Sequence, residues 1–319
     1  MRSVRFTGNH DLPALLGLFQ RAFGSPLLDA RWHWKYAHAP CWGTAVERGG
    51  EVIAFFGGMP RQFAHGKDIV LGVQIGDVMV DPAQRGILTR KGAMFMSASS
   101  YFEQMTALYP AAQFAYGFPS ARHLQLGCKL GLYAEIDTIS VMSWAPLPPQ
   151  RSLLTPTRCI NAWPVRRQQQ TVNRLWQAMR ASWPEVLLPV RDAAWLQHRY
   201  LDHPEHTYEL LLVSSRLTGL PKALAVVRAH PDHLEFLDYV GPAQGVSLAL
   251  RTIRMHAANL GLPLVRGWFS KQLTSVFNVG QPTVHDSGIV VPTNLWGKAQ
   301  VAGVLASPIW LMAGDSDFR

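Results

Sequence analysis

The feature that most constrains the fold of this chain is an internal echo. Residues 29–40 read DARWHWKYAHAP, and residues 192–204 read DAAWLQHRYLDHP. Both segments contain Asp-Ala, a Trp and a cation followed by Tyr, both end in Pro, and one gap aligns them. In each half a strand, a glycine-containing turn and a second strand follow, which is the pattern of a hairpin. Self-similarity of this kind indicates a duplicated domain.

The elements that follow the hairpins continue in parallel. In the first half, helical spacing or strand patterning predicts helices over 11–23, 90–106 and 120–130 and strands over 69–80, 113–118 and 132–144. In the second half, HLEFLDYVG predicts a strand, and a helix, the strand LPLVRGWF and the helix SKQLTSVFNVG follow. The segment APLPPQRSLLTPT between the halves carries four prolines and no clear periodicity. We therefore expect a first domain over 1–145, a Pro-rich linker over 146–159 and a second domain over 160–319.

Composition limits the class of protein. The length of 319 residues suits two domains of about 150 residues each. The three cysteines (Cys41, Cys128 and Cys159) form no metal-binding or disulfide pattern, so we expect no metal, and a cytoplasmic location fits best. The first 25 residues do not have the pattern of a signal peptide, and no apolar stretch is long enough to span a membrane.

The net charge of +9 favours an anionic ligand. A nucleic-acid partner would need a basic stripe with interleaved aromatic residues, and the chain has no dense block of Lys and Arg. Nucleic acid is therefore the weaker interpretation, and anionic lipid and a phosphorylated cofactor stay open.

One basic segment is placed to bind such a cofactor. Residues 78–92 read VMVDPAQRGILTRKG, which predicts a strand, a proline turn, a basic loop and a helix start. The first amides of a helix have no partner within the helix, and the helix dipole adds partial positive charge there. This geometry binds phosphate well. Arg85, Arg90 and Lys91 would add charged donors, and Gly86 would let the backbone approach an anion closely.

The stretch GDVMVDPAQRG resembles the central motif of the GNAT superfamily of acyl-CoA N-acyltransferases, in which a strand ends in V-x-P-x-x-R-G. KLGLYAE is similar to the family's K-x-G-F helix end and strand, and the resemblance covers most of residues 1–145 in element order. The second half resembles a degenerate repeat, whose corresponding loop VGPAQG has no cation. The resemblance implies an α+β fold of two tandem GNAT-like domains, each a mostly antiparallel twisted sheet flanked by helices.

The resemblance also implies an activity and its binding residues. The first half would bind an acyl-CoA, most simply acetyl-CoA, and transfer the acyl group to an amine, without a metal. The amides of the splayed strand would hold the carbonyl and pantetheine, and the loop would hold the pyrophosphate. The cofactor-binding residues expected on this basis are Val78, Met79, Val80, Arg85, Gly86, Ile87, Leu88, Thr89, Arg90 and Ser120.

This chain departs from the family pattern at two places. The loop lacks two later glycines, because Leu88 and Arg90 stand where the family usually has them. In the family, the helix over 120–131 often begins at an Asn and carries a Tyr that protonates the leaving thiolate. Spacing back from Lys129 puts Ser120 and Gly127 at these two positions, and Gly127 has no side chain to donate a proton.

Three side chains are candidates for the chemistry. Asp77 is the predicted general base, because the family often has an acid at that place in the strand and a carboxylate between apolar neighbours is costly without a partner. His123 is a candidate proton carrier near neutral pH, and Tyr116 could supply a phenol. The WHWKY stretch over 32–36 is a candidate wall of the acceptor pocket. The tail GDSDFR over 314–319 is expected to be frayed.

Three other functions remain open at this stage. A Fem-type transferase shares a tandem GNAT architecture but takes aminoacyl-tRNA, which the basic charge permits. A non-catalytic acyl-CoA-binding module would fit the missing tyrosine and glycines. A transferase of long acyl chains, from CoA or a carrier protein, would fit the aromatic content. The acceptor amine and the oligomeric state cannot be inferred from the sequence.

Overall fold

The computed structural model describes residues 2–148, 156–296 and 306–317. The chain forms two compact units, and each unit combines segments that are not consecutive in the sequence. The first unit comprises Met1–Gln62, Val70–Ile136 and Ile289–Val304, and the second Phe63–Ile69, Asp137–Gly288 and Leu305–Arg319. Half of the expected linker, residues 149–155, lies outside the described residues.

The first unit contains a sheet in the order β1-β2-β3-β4-β5. Its strands are β1 (Arg2–Phe6), β2 (Gly43–Arg48), β3 (Glu51–His65), β4 (Asp68–Val80) and β5 (Ala112–Gly117), where the last residues of β3 and the first of β4 belong to the second unit. β1, β2 and β3 pair antiparallel, and β4 and β5 pair parallel. The predicted turn between β2 and β3 is confirmed, and both of its glycines, Gly49 and Gly50, have positive φ angles.

The described residues of the first unit include four α-helices: α1 (Leu12–Phe23), α2 (Asp29–Tyr36), α3 (Ala93–Leu108) and α4 (Ala121–Lys129). α1 and α2 bury an aromatic cluster in which the Trp32 ring lies 4.9 Å from Tyr36 and 5.6 Å from Phe55. α3 packs its own aromatic residues against Phe56 on β3, with the Phe102 ring 5.3 Å from it. These two clusters are separate, and a third, smaller apolar cluster contains Val46, Ile53, Ala54 and Ala93.

The β4–β5 pairing ends before β4 does. The last paired residues are Ile75 and Gly117, whereas β4 continues to Val80. Asp77 lies just past the divergence with a φ of 48°, a conformation that is uncommon for any residue other than glycine. The backbone of Val78–Val80 consequently has no pairing with β5.

The second unit contains a sheet in the order β6-β12-β11-β10-β9-β7, in which β11 and β12 pair parallel and the other pairs whose register is described are antiparallel. The strands are β6 (Tyr133–Trp144), β7 (Thr157–Cys159), β9 (Glu209–Ser214), β10 (Pro221–Ala229), β11 (Leu234–Val240) and β12 (Val265–Ser270), where the first residues of β6, up to Ile136, belong to the first unit. A short strand, β8 (Leu188–Pro189), pairs with the end of β3. The last strand, β13 (Thr283–Asn294), runs from the second unit back into the first.

In the part of the second unit that the structure describes there are three α-helices: α5 (Val165–Ser182), α6 (Ala193–Leu196) and α7 (Val246–Asn259). α6 leads directly into a short π-helix over Gln197–Leu201. The helix expected over SKQLTSVFNVG is a 3₁₀-helix, Lys271–Phe277. The tighter turn is typical of short connecting segments such as this one.

The expectation of a frayed C-terminal tail is wrong for residues 314–316, which are buried. Arg191 forms fully buried ion pairs with Asp238 and Asp315, at 2.5 and 2.6 Å. Arg199 donates to the carbonyl oxygens of Gly314 and Ser316. A carboxylate and backbone groups buried in this way need partners, and these two arginines supply them.

None of the helices within the described residues is long and apolar enough to cross a membrane. Across residues 2–148, 156–296 and 306–317, no group of three or more His, Cys, Asp and Glu side chains is arranged to hold a metal ion.

Candidate active site

Asp77, the predicted general base, lies in a buried ion pair. Lys35 Nζ is 2.6 Å from the Asp77 carboxylate, and the two side chains are only 4% and 6% exposed. The Tyr36 hydroxyl donates to Asp77 Oδ2 over 2.9 Å. Consecutive residues at the end of α2 therefore hold the carboxylate of Asp77.

The second unit repeats half of this arrangement. The Tyr200 hydroxyl donates to Asp238 Oδ2 over 2.9 Å, the same distance as between Tyr36 and Asp77. Tyr200 belongs to the second copy of the sequence echo, and Asp238 precedes the loop VGPAQG much as Asp77 precedes VDPAQRG. The echo therefore corresponds to an equivalent tyrosine–aspartate contact in each half, which supports duplication.

The segment after β4 is fixed by an acidic cap. Asp81 Oδ1 accepts from the Ala83 amide, and Asp81 Oδ2 accepts from Arg21 Nε over 2.7 Å. The Arg21 guanidinium holds the pKa of Asp81 below its usual value. The turn at Pro82 is thereby tied to the end of α1.

Arg85 fastens the next part of the loop to the protein. Its Nε donates to the Val80 carbonyl over 3.0 Å and its Nη2 to the Ala22 carbonyl over 2.9 Å. Gly86 follows with a φ of 103°, a conformation that side chains other than glycine rarely adopt. The predicted close approach of the Gly86 backbone to an anion stays a prediction.

Gly92 closes the loop at the start of α3. It is the N-cap residue of this helix, and its amide donates to the Thr89 carbonyl over 2.8 Å. A Cβ at Gly92 would overlap the carbonyl oxygen of Ile87. The glycines that the family pattern has at residues 88 and 90 are absent. A glycine is needed instead at residue 92, where the loop folds back on itself.

Arg90 stacks on aromatic rings. Its guanidinium lies 5.1 Å from the ring centroid of Trp296 and 5.6 Å from that of Phe95, a cation–π arrangement. Trp296 belongs to the segment that returns to the first unit, which the sequence pattern did not predict.

A pocket of about 240 Å³ lies between the end of β4, the loop and the starts of α3 and α4. The cofactor-binding residues that the sequence predicts and that line it are Val78, Val80, Arg85, Gly86, Ile87, Leu88 and Ser120. Met79, Thr89 and Arg90, also predicted, are not among its lining residues. The lining residues that the sequence analysis missed are Gln84, Ala93, Met94, Arg122 and Leu126.

The starts of two helices meet at this pocket. Ala93 and Met94 are the first residues of α3, and Ser120 is the N-cap of α4, with its side chain accepting from the His123 amide. Each helix start carries unpaired amides and partial positive charge. Arg122, an exposed cation that also lines the pocket, adds a full positive charge. The arrangement is suited to an anion.

His123 is the predicted proton carrier that lines the pocket. Its Nε2 lies 2.8 Å from the hydroxyl of Tyr133, a residue that the sequence analysis did not select. Burial lowers the pKa of His123 to about 4 and raises that of Tyr133 well above its usual value. At neutral pH the imidazole is therefore uncharged.

Tyr116 and the WHWKY stretch are placed differently. Tyr116 is buried and donates to Gln74 Oε1 over 3.3 Å, and neither Tyr116 nor Asp77 lines the pocket. Within 32–36, Trp32 and Tyr36 are core residues of the first unit. A role of this stretch at the acceptor pocket stays a prediction.

No protein-family model and no curated protein sequence matches the chain. Solved structures do match it over nearly its full length. A probable N-acyltransferase from Enterococcus faecalis V583 has a TM-score of 0.73 at 11% identity, over 94% of this chain and 74% of the other. A GCN5-related N-acetyltransferase from Kribbella flavida has a TM-score of 0.67 at 17% identity, over 92% and 71%. N-myristoyltransferase from Saccharomyces cerevisiae, with bound myristoyl-CoA and inhibitors, has a TM-score of 0.59 at 10% identity, over 93% and 80%.

The chain therefore has the fold of the GCN5-related N-acetyltransferases, and the predicted α+β fold class is confirmed. At these identities the likeness concerns the fold, and function has to be argued from the site itself.

Proposed function

We propose that this protein is an acyl-CoA-dependent N-acyltransferase whose CoA site is the pocket of the first unit. The observation that carries the proposal is the meeting of two helix starts and Arg122 at one pocket, beside the end of β4 that is not paired with β5. Helix starts bind phosphate through free amides and the helix dipole. Because the chain shares its fold with the structural neighbours, we propose that the anion is the pyrophosphate of CoA.

The strand end supports the acyl-transfer part of the proposal. Past Ile75, β4 has no pairing with β5 among the described residues, while Val78 and Val80 line the pocket. Backbone amides along such an edge can accept the pantetheine arm and polarise the thioester carbonyl. Attack by a neutral amine then forms the amide bond, and the CoA thiolate leaves.

Asp77 is proposed as the group that keeps the acceptor amine neutral, directly or through water. In its present contacts the carboxylate is shared between Lys35 and Tyr36. A base role therefore requires the acceptor amine or a water molecule to compete for one of the Asp77 oxygens. Tyr116 stays a predicted phenol donor.

The acyl group is proposed to be acetyl and the location cytoplasmic. One structural neighbour holds myristoyl-CoA, so the donor panel must extend from acetyl-CoA to long-chain acyl-CoA. The acceptor is proposed to be a small-molecule or peptide amine.

The first test is calorimetric titration of CoA and acetyl-CoA into the wild type, Arg122→Ala and Lys129→Ala. Arg122 and Lys129 are exposed cations on the same helix, but only Arg122 lines the pocket. We expect micromolar binding by the wild type and Lys129→Ala, and at least about tenfold weaker binding by Arg122→Ala.

Equal losses in both variants would mean that net charge alone attracts the ligand. Failure of the folded wild type to bind CoA would overturn the proposal. Titration with aminoacyl-tRNA, over a range of salt concentrations, would then test the Fem-type alternative.

A further inference from the structure

The side-chain space at Gly127 is already occupied. A Cβ at Gly127 would overlap the ring carbons Cδ2 and Cε2 of Tyr133. Tyr133 is the first residue of β6, directly after the turn that ends α4. The ring of Tyr133 therefore lies where a longer side chain at residue 127 would begin, so an aromatic group reaches this place from the strand and not from the helix.

The Tyr133 hydroxyl fixes the protonation pattern of His123. Tyr133 is buried, and among the described residues His123 Nε2, at 2.8 Å, is the hydrogen-bond partner of its hydroxyl. If Nε2 carried the proton, the buried Tyr133 O–H would have no acceptor, and a buried donor without an acceptor is costly. Tyr133 therefore donates to Nε2, and the proton of the neutral imidazole lies on Nδ1.

His123 also lines the proposed CoA pocket, and Nδ1–H is the ring N–H that the Tyr133 contact leaves for a ligand there. Residues 123 and 127 are four apart in α4, so they share one face of the helix, with His123 one turn nearer to its start. His123 lines the pocket together with Val78 and Val80 of the strand end. Because burial lowers the pKa of His123 to about 4, the ring stays neutral in the pH range of ordinary assays.

We propose that His123 is the hydrogen-bond donor to the sulfur of CoA in this site, and that Tyr133 is the positioning residue that keeps the donor proton on Nδ1. The inference rests on the proposed function, because it needs CoA in the pocket. The histidine–tyrosine pair would supply the hydrogen bond that Gly127, which has no side chain, cannot donate.

The proton balance of the reaction closes with this assignment. As the tetrahedral intermediate collapses, the C–S bond breaks and sulfur keeps the electron pair, and the Nδ1–H bond stabilises the resulting thiolate. The acceptor nitrogen loses one proton when the amide forms, and the thiolate gains one proton to become the thiol. His123 and Tyr133 end in the states in which they began.

The test is NMR of the protein labelled with ¹⁵N-histidine, with the His123 signals assigned by their absence in His123→Gln. The wild type should show the Nδ1–H tautomer, and Tyr133→Phe, which keeps the ring beside Gly127, should shift it toward Nε2–H. Addition of CoA should move the wild-type Nδ1 signal. Adenosine 3′,5′-bisphosphate, which lacks the pantetheine arm and sulfur, should not move it.

The outcomes separate this inference from the proposed function. CoA binding by calorimetry with an unchanged His123 signal would overturn the role of His123 and leave the proposed function standing. A wild-type Nε2–H tautomer would overturn the role of Tyr133. Absence of CoA binding would overturn both proposals.

A second readout is the release of thiol from acetyl-CoA with any amine, or water, that serves as acceptor. His123→Gln keeps an N–H donor and His123→Leu does not, so Gln should retain at least about tenfold more of the wild-type kcat than Leu. Equal kcat in the two variants, with unchanged CoA affinity, would contradict the donor role.

Discussion

Gly127 and Tyr133 occupy one volume: the ring of Tyr133 fills the space into which any side chain at Gly127 would project. Gly127 is buried within α4, although glycine in the middle of a helix costs about 0.5–1 kcal/mol relative to alanine. The packing of the Tyr133 ring therefore explains the glycine. This contact offsets the lower helix propensity of glycine in α4.

This contact predicts opposite effects of the same substitution in two helices. Gly127→Ala should lower the free energy of unfolding by about 1–3 kcal/mol, because the Tyr133 ring must move away from the new methyl group. Gly17→Ala, in the interior of α1, should be neutral or stabilising by up to about 1 kcal/mol, because only the flexible end of Arg21 lies near the added Cβ. Urea unfolding of the two variants is the measurement. Equal effects would show that helix propensity, not the Tyr133 contact, determines the response.

The tyrosine–aspartate contact occurs in both halves, which predicts similar losses of stability when either hydroxyl is removed. Tyr36→Phe and Tyr200→Phe each remove one hydroxyl that donates to a buried aspartate. A hydrogen bond to a charged group is worth about 1.5–3 kcal/mol, so both variants should be destabilised within that range. Unfolding followed by tryptophan fluorescence measures the two losses. An effect in only one variant would indicate that the contact is structural in one half alone.

Features set by local chemistry could be predicted from the sequence. The turn at Gly49 and Gly50 and the cap at Ser120 follow from the conformational preferences of residues a few positions apart. The strand-loop-helix segment after Asp77 was predictable for the same reason, because a proline turn and a helix start leave clear signals.

Features that depend on distant partners could not be predicted. Arg191 and Asp315 are 124 residues apart in the chain, and nothing near the C-terminus indicates that the tail is buried. The strained φ of Asp77 and the cation–π contact of Arg90 with Trp296 likewise depend on tertiary packing. For Tyr133 a signal was present: an aromatic residue soon after a helix that carries a glycine at the expected tyrosine position.

The loop geometry predicts that Gly92 is required for CoA binding. The backbone at Gly92 has a conformation that alanine accepts. In Gly92→Ala, however, the added Cβ would overlap the Ile87 carbonyl oxygen, so the loop must open. We expect CoA affinity to fall by at least about tenfold, which corresponds to about 1.4 kcal/mol. Calorimetric titration measures the loss, with Gly17→Ala as a control that should bind like the wild type. Wild-type affinity of Gly92→Ala would mean that the loop does not contact CoA.

The lowered pKa of His123 predicts how stability changes with pH. An unfolded histidine titrates near about pH 6.5, whereas folded His123 titrates near pH 4, so between these values the unfolded state holds the extra proton. Stability contributed by neutral His123 is therefore complete above about pH 6.5 and is lost progressively as the pH falls toward 4. The difference in unfolding free energy between the wild type and His123→Gln, measured from about pH 7.5 to about pH 4.5, should shrink as the pH falls. Because the other histidines titrate in both proteins, they largely cancel from this difference. A difference that stays constant across the range would show that His123 is not buried in its neutral form.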